Sequence, residues 1–286
     1  VYDKKGKDKG LIAFLRFVFS LLISKKNYDT VFIVQRYFRS VLISLLLRIK
    51  KRIGFYAGDN KLSAYFYTDC IKRNKSLHEV ERNLSLLKAF NVKAEPVSYP
   101  VEVPFEEIDL AYALKLIENN KNTILLAPAS NWLTKAWPEK YFCELIKKLL
   151  KDDFQIALIA SASSADKDLC KSISLAVNSE KLLNLAGKTN FPQLSALCSE
   201  AKMLIANDSA PLHVGASADI PVLGIFGSTT KELGFYPYSN RAIVVEKELS
   251  CRPCGLHGKR TCPERHFSCM KDIEPEEVYL KVKSLL

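Results

Sequence analysis

The regular alternation of short apolar runs with helix-length segments from Asn122 onward constrains the fold more than any other feature of the chain. The predicted strands are TILLA (123–127), FQIALIA (154–160), KLLNLA (181–186), AKMLIA (201–206) and VLGIF (222–226). Such strands, separated by helices, predict a parallel, doubly wound α/β sheet. In these sheets ligands bind beyond the carboxyl ends of the strands, so the loops there are the candidate functional regions.

The first ninety residues also contain α/β units. YDTVFIVQ (28–35) and RIGFY (52–56) are predicted strands around a helix at 39–49, and a helical region is expected to continue to about Phe90. Three prolines and little periodicity in 91–107 predict a linker. A chain of 286 residues is long enough for two cores. We therefore predict two domains, 1–100 and 101–286.

The balance of charge favours anionic partners, because 42 Lys and Arg against 31 Asp and Glu give a net charge of +11. Basic residues flank the apolar runs at 14–26 and 41–55, which suits either contact with an anionic membrane surface or a core helix with solvated ends. No apolar run reaches the roughly 18 residues of a spanning helix. Eight cysteines without a secretory signal indicate a reducing cytosol.

The loop after the first strand of the regular alternation carries groups suited to a diphosphate. They are Ser130, Asn131, Thr134 and Lys135. A loop lysine is commonly only solvated. Trp132 and Trp137 flank Lys135, however, and we expect their rings to exclude solvent and hold the ammonium in place.

The next two loops are built from small and polar residues. In SASSADKD (161–168), Asp166 is placed either to accept from ribose hydroxyls or to complement the dipole of the following helix. In AGKTNFP (186–192), Gly187 supplies a tight turn that can face a base.

The fourth loop joins a strand to a helix through the sequence NDSAPLH (207–213). We predict Ser209 as the N-cap, with Pro211 in the first turn, where its missing N–H costs little. A helix N-terminus attracts anions. His213 can reach back over this opening or can simply bond to nearby backbone.

The segments APASNWLTKAWPEKYF, IASASSADKD, LAGKTNF, ANDSAPLHVGASADIPVLGIFGSTT and CRPCGLHGKRTC resemble, in order, the ADP-heptose:lipopolysaccharide heptosyltransferases of glycosyltransferase family 9. The resemblance covers about residues 28–286 and implies a GT-B fold with two Rossmann-like domains. It also implies that the family's first strand and its Gly-Asp loop, whose Asp serves as general base, precede Val1.

The resemblance assigns roles to the strand-end residues. It implies that Ser130 and Lys135 contact donor phosphate, that Asp166 meets the ribose, and that Asp208, Ser209 and Ala210 form the phosphate cradle. Ala210 stands where the family commonly has Gly. From the likeness and the loop chemistry together, we predict Lys135 and Asp208 as catalytic residues and the following donor-binding residues: Ser130, Thr134, Lys135, Asp166, Gly187, Asp208, Ser209, Ala210 and His213.

The implied reaction is inverting transfer of heptose from ADP-heptose to an inner-core sugar of lipopolysaccharide. Lys135 and the helix N-terminus would stabilise the leaving ADP, so we expect no cofactor requirement for catalysis. The expected location is cytoplasmic, on the inner face of the cytoplasmic membrane. The alternatives are a GT-B transferase using another nucleotide sugar and a basic, zinc-containing nucleic-acid-binding protein. The chain carries no recognisable nucleic-acid motif, and we expect no such partner.

Four cysteines near the C-terminus are spaced C-x2-C-x7-C-x6-C, at Cys251, Cys254, Cys262 and Cys269. A C-x2-C pair presents two thiolates to one ion, and two further cysteines complete a tetrahedral structural zinc site. The second half of the spacing is not a common zinc pattern, so free thiols and a disulfide formed on isolation remain alternatives.

Overall fold

A computed structural model of the chain describes residues 10–24, 27–35, 37–56, 64–93 and 102–286. The chain divides into two compact units, Val1–Pro96 and Val97–Leu286. The opening residues 1–9 and the centre of the predicted linker, 94–101, lie outside the described residues.

The first unit contains a parallel sheet whose strands follow the order β1-β2-β3 among the residues described there. Its elements are α1 (Leu11–Ile23), β1 (Thr30–Ile33), α2 (Phe38–Leu46), β2 (Lys51–Tyr56), β3 (Asp69–Lys72), α3 (Glu79–Leu84) and a 3₁₀ helix (Ser85–Phe90). The expectation of continuous helix up to Phe90 was wrong, because β3 interrupts it. β3 alternates half-buried and exposed residues and includes Asp69 and Lys72, so it shows no apolar run that sequence inspection detects.

Helix α1 presents two kinds of surface. Phe14 and Val18 are buried, whereas Ile12, Phe19 and Ile23 on another face are exposed. Within the described parts of the chain, none of the helices is both long and apolar enough to cross a membrane.

The second unit contains a larger sheet with helices packed on it. Its elements are α4 (Glu107–Leu116), β4 (Thr123–Ala127), a 3₁₀ helix (Leu133–Lys135), α5 (Glu139–Lys151), β5 (Gln155–Leu158), α6 (Ser164–Val177), β6 (Leu182–Asn184), α7 (Phe191–Ser199), β7 (Met203–Asn207), α8 (Ala210–Ser217), β8 (Val222–Ile225), a 3₁₀ helix (Lys231–Leu233), β9 (Ala242–Val245), α9 (Ser268–Lys271) and α10 (Pro275–Leu285).

The strands of this sheet are parallel and lie in the order β6-β5-β4-β7-β8-β9. The order grows outward from β4 to β6 on one side and from β7 to β9 on the other. It therefore reverses between β4 and β7, where Ala127 pairs with Ala206. This is the strand order of a doubly wound dinucleotide-binding fold, and such a reversal opens a crevice at the carboxyl ends of the two strands.

The central strands are buried on both faces, which explains their continuous apolar sequences. Along β4, Ile124 and Leu126 point into a cluster with α5, α6 and α10, whereas Leu125 and Ala127 point into a cluster with α4, α7 and α8. Layers of helices thus cover both faces of the sheet and leave the strand-end loops to form the site.

Candidate active site

The candidate site lies at the strand reversal, where the loop after β4 faces the loop after β7. Asn207, the last residue of β7, is fully buried and fixes both ends of the β4 loop. The NH₂ group of its side chain donates to the Pro128 backbone carbonyl at 2.7 Å. The carbonyl of its side chain accepts from the Trp137 backbone N–H at 3.1 Å. Sequence reasoning did not assign Asn207 a role. An amide side chain that ends a fully apolar strand was the available signal, because a buried polar group needs partners.

Lys135 and Asp208 form an ion pair across this junction. Lys135 Nζ lies 2.5 Å from Asp208 Oδ2, and the side chains are 11% and 10% exposed. The Thr229 hydroxyl donates to the same carboxylate oxygen at 2.6 Å. The carboxylate therefore holds the ammonium in a fixed direction, and a fixed, poorly solvated cation stabilises nearby negative charge more strongly than one in water.

Helix α8 begins directly beside this pair. Ser209 occupies the N-cap position, as predicted, but its hydroxyl donates to the Asn207 carbonyl at 3.0 Å instead of accepting from the first turn. Its side chain therefore leaves the helix N-terminus uncapped, in the geometry that attracts an anion. Ala210 and Pro211, the first helical residues, face a pocket.

A cavity of about 500 Å³ adjoins α8 and has the size of a ligand site. The loops after β4, β5, β6 and β7 all contribute to it, as sequence reasoning expected from a parallel sheet. Its polar lining residues include Ser130, Asn131, Ser161, Asp166, Thr189, Asn190 and Ser209, and its apolar ones include Phe191, Leu194, Ala210 and Pro211.

Asp166 is held in the wall of this cavity. Its Oδ2 accepts from the Ser161 hydroxyl at 2.6 Å and from the Ser161 N–H at 3.2 Å. Ser163 caps helix α6 by accepting from the Asp166 N–H at 3.2 Å. These contacts fix the carboxylate at the cavity surface, where it can accept from a ligand hydroxyl.

Three other predicted residues lie elsewhere in the unit. Thr134 is 2% exposed, and its hydroxyl oxygen accepts from the Lys259 N–H at 2.7 Å and lies 2.9 Å from Ser228 Oγ, so it belongs to a buried network. Gly187 turns with φ of 74°, and a Cβ there would lie 3.0 Å from Ala162 Cα. His213 is exposed on the first turns of α8.

The two tryptophans do not enclose Lys135 together. Trp132 is partly exposed, but Trp137 is 2% exposed and belongs to the core under α5. Its indole N–H donates to the Ile273 carbonyl at 2.8 Å, and its ring packs edge-on against Phe142. The expectation that both rings wall off the ammonium was therefore wrong for Trp137.

The C-terminal cysteines lie in the segment after β9, and Cys251, Cys254, Cys262 and Cys269 are free thiols. The Cys254 N–H donates to the Ser228 carbonyl at 2.9 Å, which joins this segment to the loop after β8. Burial raises the pKa of Cys254, and burial raises the pKa of Cys269 to about 11. Across the described residues, no group of three or more metal-binding side chains is arranged around a common point. The zinc site stays a prediction.

Known proteins resemble this chain in both sequence and structure. The family model of glycosyltransferase family 9 (heptosyltransferase) matches residues 18–266. Lipooligosaccharide heptosyltransferase 2 of Campylobacter jejuni serotype O:6 is 27% identical over 90% of this chain and 75% of that protein.

Two solved structures share the fold. A glycosyl transferase family 9 structure from Veillonella parvula matches with a TM-score of 0.84 at 19% identity, over 100% of this chain and 81% of that one. E. coli ADP-heptose lps heptosyltransferase II matches with a TM-score of 0.74 at 23% identity, over 95% and 80%.

Together with these matches, the Rossmann-like parallel sheets define a glycosyltransferase of the GT-B fold. The family match extends over most of the chain, and the protein belongs to glycosyltransferase family 9.

Proposed function

We propose that the protein transfers heptose from ADP-heptose to an inner-core sugar of lipopolysaccharide, with inversion at the transferred carbon. The family match and the curated heptosyltransferase relatives support the sugar and the acceptor class. The observation in the chain itself that carries the proposal is the Lys135–Asp208 pair, which lies beside the N-terminus of α8 and next to a cavity of nucleotide size.

The proposed donor position follows from the chemistry of these groups. The ribose hydroxyls lie against Asp166, and the diphosphate lies between Ser130 and the backbone of Ser209 and Ala210, within reach of Lys135. Carboxylates accept from hydroxyls, whereas an ammonium and a helix N-terminus both favour phosphate.

The proposed reaction is a direct displacement. The acceptor hydroxyl attacks the sugar carbon bonded to the diphosphate and loses its proton to a carboxylate base, and the bond to the diphosphate oxygen breaks. Negative charge grows on the departing ADP, where Lys135 and the backbone N–H groups of Ser209 and Ala210 stabilise it. Because these positive groups are part of the protein, the proposed mechanism requires no divalent metal.

A screen of donors with the full-length protein tests this function. We expect product from ADP-heptose and an inner-core acceptor, identified by mass spectrometry, and none from other ADP-sugars or UDP-sugars. Transfer of a different sugar with none of heptose would refute the proposed donor. Retention on heparin without any retention on ADP-agarose would favour the nucleic-acid-binding alternative instead.

We also propose that the protein acts at an anionic membrane surface as a peripheral protein. The net charge of +11 and the exposed apolar residues Ile12, Phe19 and Ile23 of α1 support it, because apolar insertion and lipid electrostatics act together. We expect sedimentation with vesicles that contain phosphatidylglycerol and weaker binding by Phe19→Glu. Equal binding to neutral and anionic vesicles, or none to either, would contradict it.

A further inference from the structure

Arg252 is a buried guanidinium in the segment after β9, with a side chain that is 4% exposed. The group joins the β8 loop, defined as residues 226–229, to the end of the following strand. Its acceptors are Glu246 Oε2 at 2.6 Å, the Thr229 carbonyl at 2.6 Å, the Phe226 carbonyl at 3.4 Å and the carbonyls of Gly227 and Lys247.

The β8 loop contacts Asp208 directly and also contacts Thr134, the residue before Lys135. The Thr229 hydroxyl donates to Asp208 Oδ2 at 2.6 Å, and that oxygen lies 2.5 Å from Lys135 Nζ. The Ser228 N–H donates at 3.2 Å to the carbonyl of Thr134, the residue before Lys135. Arg252 is therefore linked to the ammonium through Thr229, whose backbone carbonyl bonds to Arg252 and whose hydroxyl bonds to Asp208.

Arginine is the side chain that this arrangement requires. Its five N–H donors lie in one plane and bond to acceptors on separate segments, while Glu246 neutralises the buried charge. A lysine at position 252 would present three donors on a single atom and would leave some of the buried carbonyls without a partner, which is costly.

We propose that Arg252 is a positioning residue for the donor diphosphate. It holds the carbonyls of the β8 loop so that Thr229 keeps Asp208, and through it the Lys135 ammonium, in the orientation that receives a phosphate. Arg252 itself does not touch the donor. The inference rests on the proposed function, because it takes the Lys135 site as the place where the donor diphosphate binds.

Other contacts keep the β8 loop near the site when Arg252 is changed. The Cys254 N–H donates to the Ser228 carbonyl, and the Ser228 N–H donates to the Thr134 carbonyl. Loss of the guanidinium is therefore expected to change the orientation of Thr229 without detaching the loop. The expected result is weaker phosphate binding by a folded protein.

The test is a double-mutant cycle on ADP affinity, measured by calorimetry with the full chain. Arg252→Lys and Thr229→Val are each expected to weaken ADP binding about tenfold, the cost of one buried hydrogen bond. The double variant should bind ADP no more weakly than the single variant with the lower ADP affinity, because both substitutions act through the same contact to Asp208. Arg265→Lys, an identical change at an exposed position of the same segment, should stay within about twofold of wild type.

The cycle separates positioning from a general loss of stability. Reduced stability lowers the melting temperature and the binding stoichiometry, whereas positioning changes the dissociation constant of the folded fraction. The inference would be overturned if Arg252→Lys bound ADP within about twofold of wild type. It would also be overturned if the two single-variant losses of ADP affinity multiplied in the double variant.

A second variant covers the case in which Arg252→Lys does not fold. Glu246→Gln keeps the guanidinium and removes its charged partner, and we expect about threefold weaker ADP binding that is again not additive with Thr229→Val. Unchanged affinity would overturn the inference. A wild-type chain that does not bind ADP would refute the proposed function and this inference together.

Discussion

Replacement of Lys135 by alanine removes one partner of the buried ion pair in the candidate site. The ammonium lies 2.5 Å from Asp208 Oδ2, and both side chains are about nine-tenths buried, at 11% and 10% exposure. With the donor placed as proposed, the substitution removes a charge-assisted contact to phosphate, which is worth about 1–3 kcal/mol. The affinity for ADP should therefore fall about 5-fold to 150-fold.

The same substitution leaves Asp208 without its cation. The carboxylate keeps the hydrogen bond from the Thr229 hydroxyl but loses its neutralising cation, so repulsion of the incoming phosphate moves the expected loss toward the upper end of the range. Adding Asp208→Asn removes the repelling charge and keeps an acceptor for Thr229. We expect the double variant to recover part of the affinity lost by Lys135→Ala.

Calorimetry with two ligands makes this prediction specific to phosphate. Lys135→Ala should lower the affinity for ADP and leave the affinity for adenosine unchanged, because adenosine has no phosphate. Lys140→Ala removes the same charge from an exposed residue of the next helix and should leave ADP binding unaltered. Equal ADP affinities for wild type and Lys135→Ala, or equal losses for ADP and adenosine, would refute the placement of phosphate at Lys135.

Four further predictions concern the framework of the second unit. Asn207→Leu leaves the buried Trp137 N–H and Pro128 carbonyl without their partner, and we expect urea unfolding to show a loss of about 2–4 kcal/mol. A fragment of residues 102–286 should bind ADP, whereas one of 121–286 should melt at a lower temperature, because it lacks the fully buried Ala113 and Ile117. Burial raises the pKa of Cys170 and Cys198 to about 12, so iodoacetamide at about pH 8 should label them only after unfolding. Elemental analysis of reduced protein tests the structural zinc: about one equivalent per chain supports it, and less than about a tenth, with all four C-terminal thiols free to titrate, refutes it.

Local sequence was sufficient to predict most elements of the second unit. The strand expected at TILLA is β4 (Thr123–Ala127), and Ser209 lies at the N-cap of α8 as expected. Hydrophobic periodicity and caps act within a few residues, so they can be recognised in the sequence itself. The family was also recognisable, because the strand-end loops keep their residue order. Where a strand lacked an apolar pattern, as in β3, the same reasoning missed it.

Only the tertiary structure decided which side chains meet. Lys135 and Asp208 are 73 positions apart, and they pair because the sheet places β7 beside β4. Trp132 and Trp137 are only five positions apart, yet one ring is partly exposed and the other fills the core. The buried position of Arg252 also had no local signal. Strand order, core packing and hydrogen bonds between distant segments form only when the chain folds, because each depends on partners that sequence proximity does not specify.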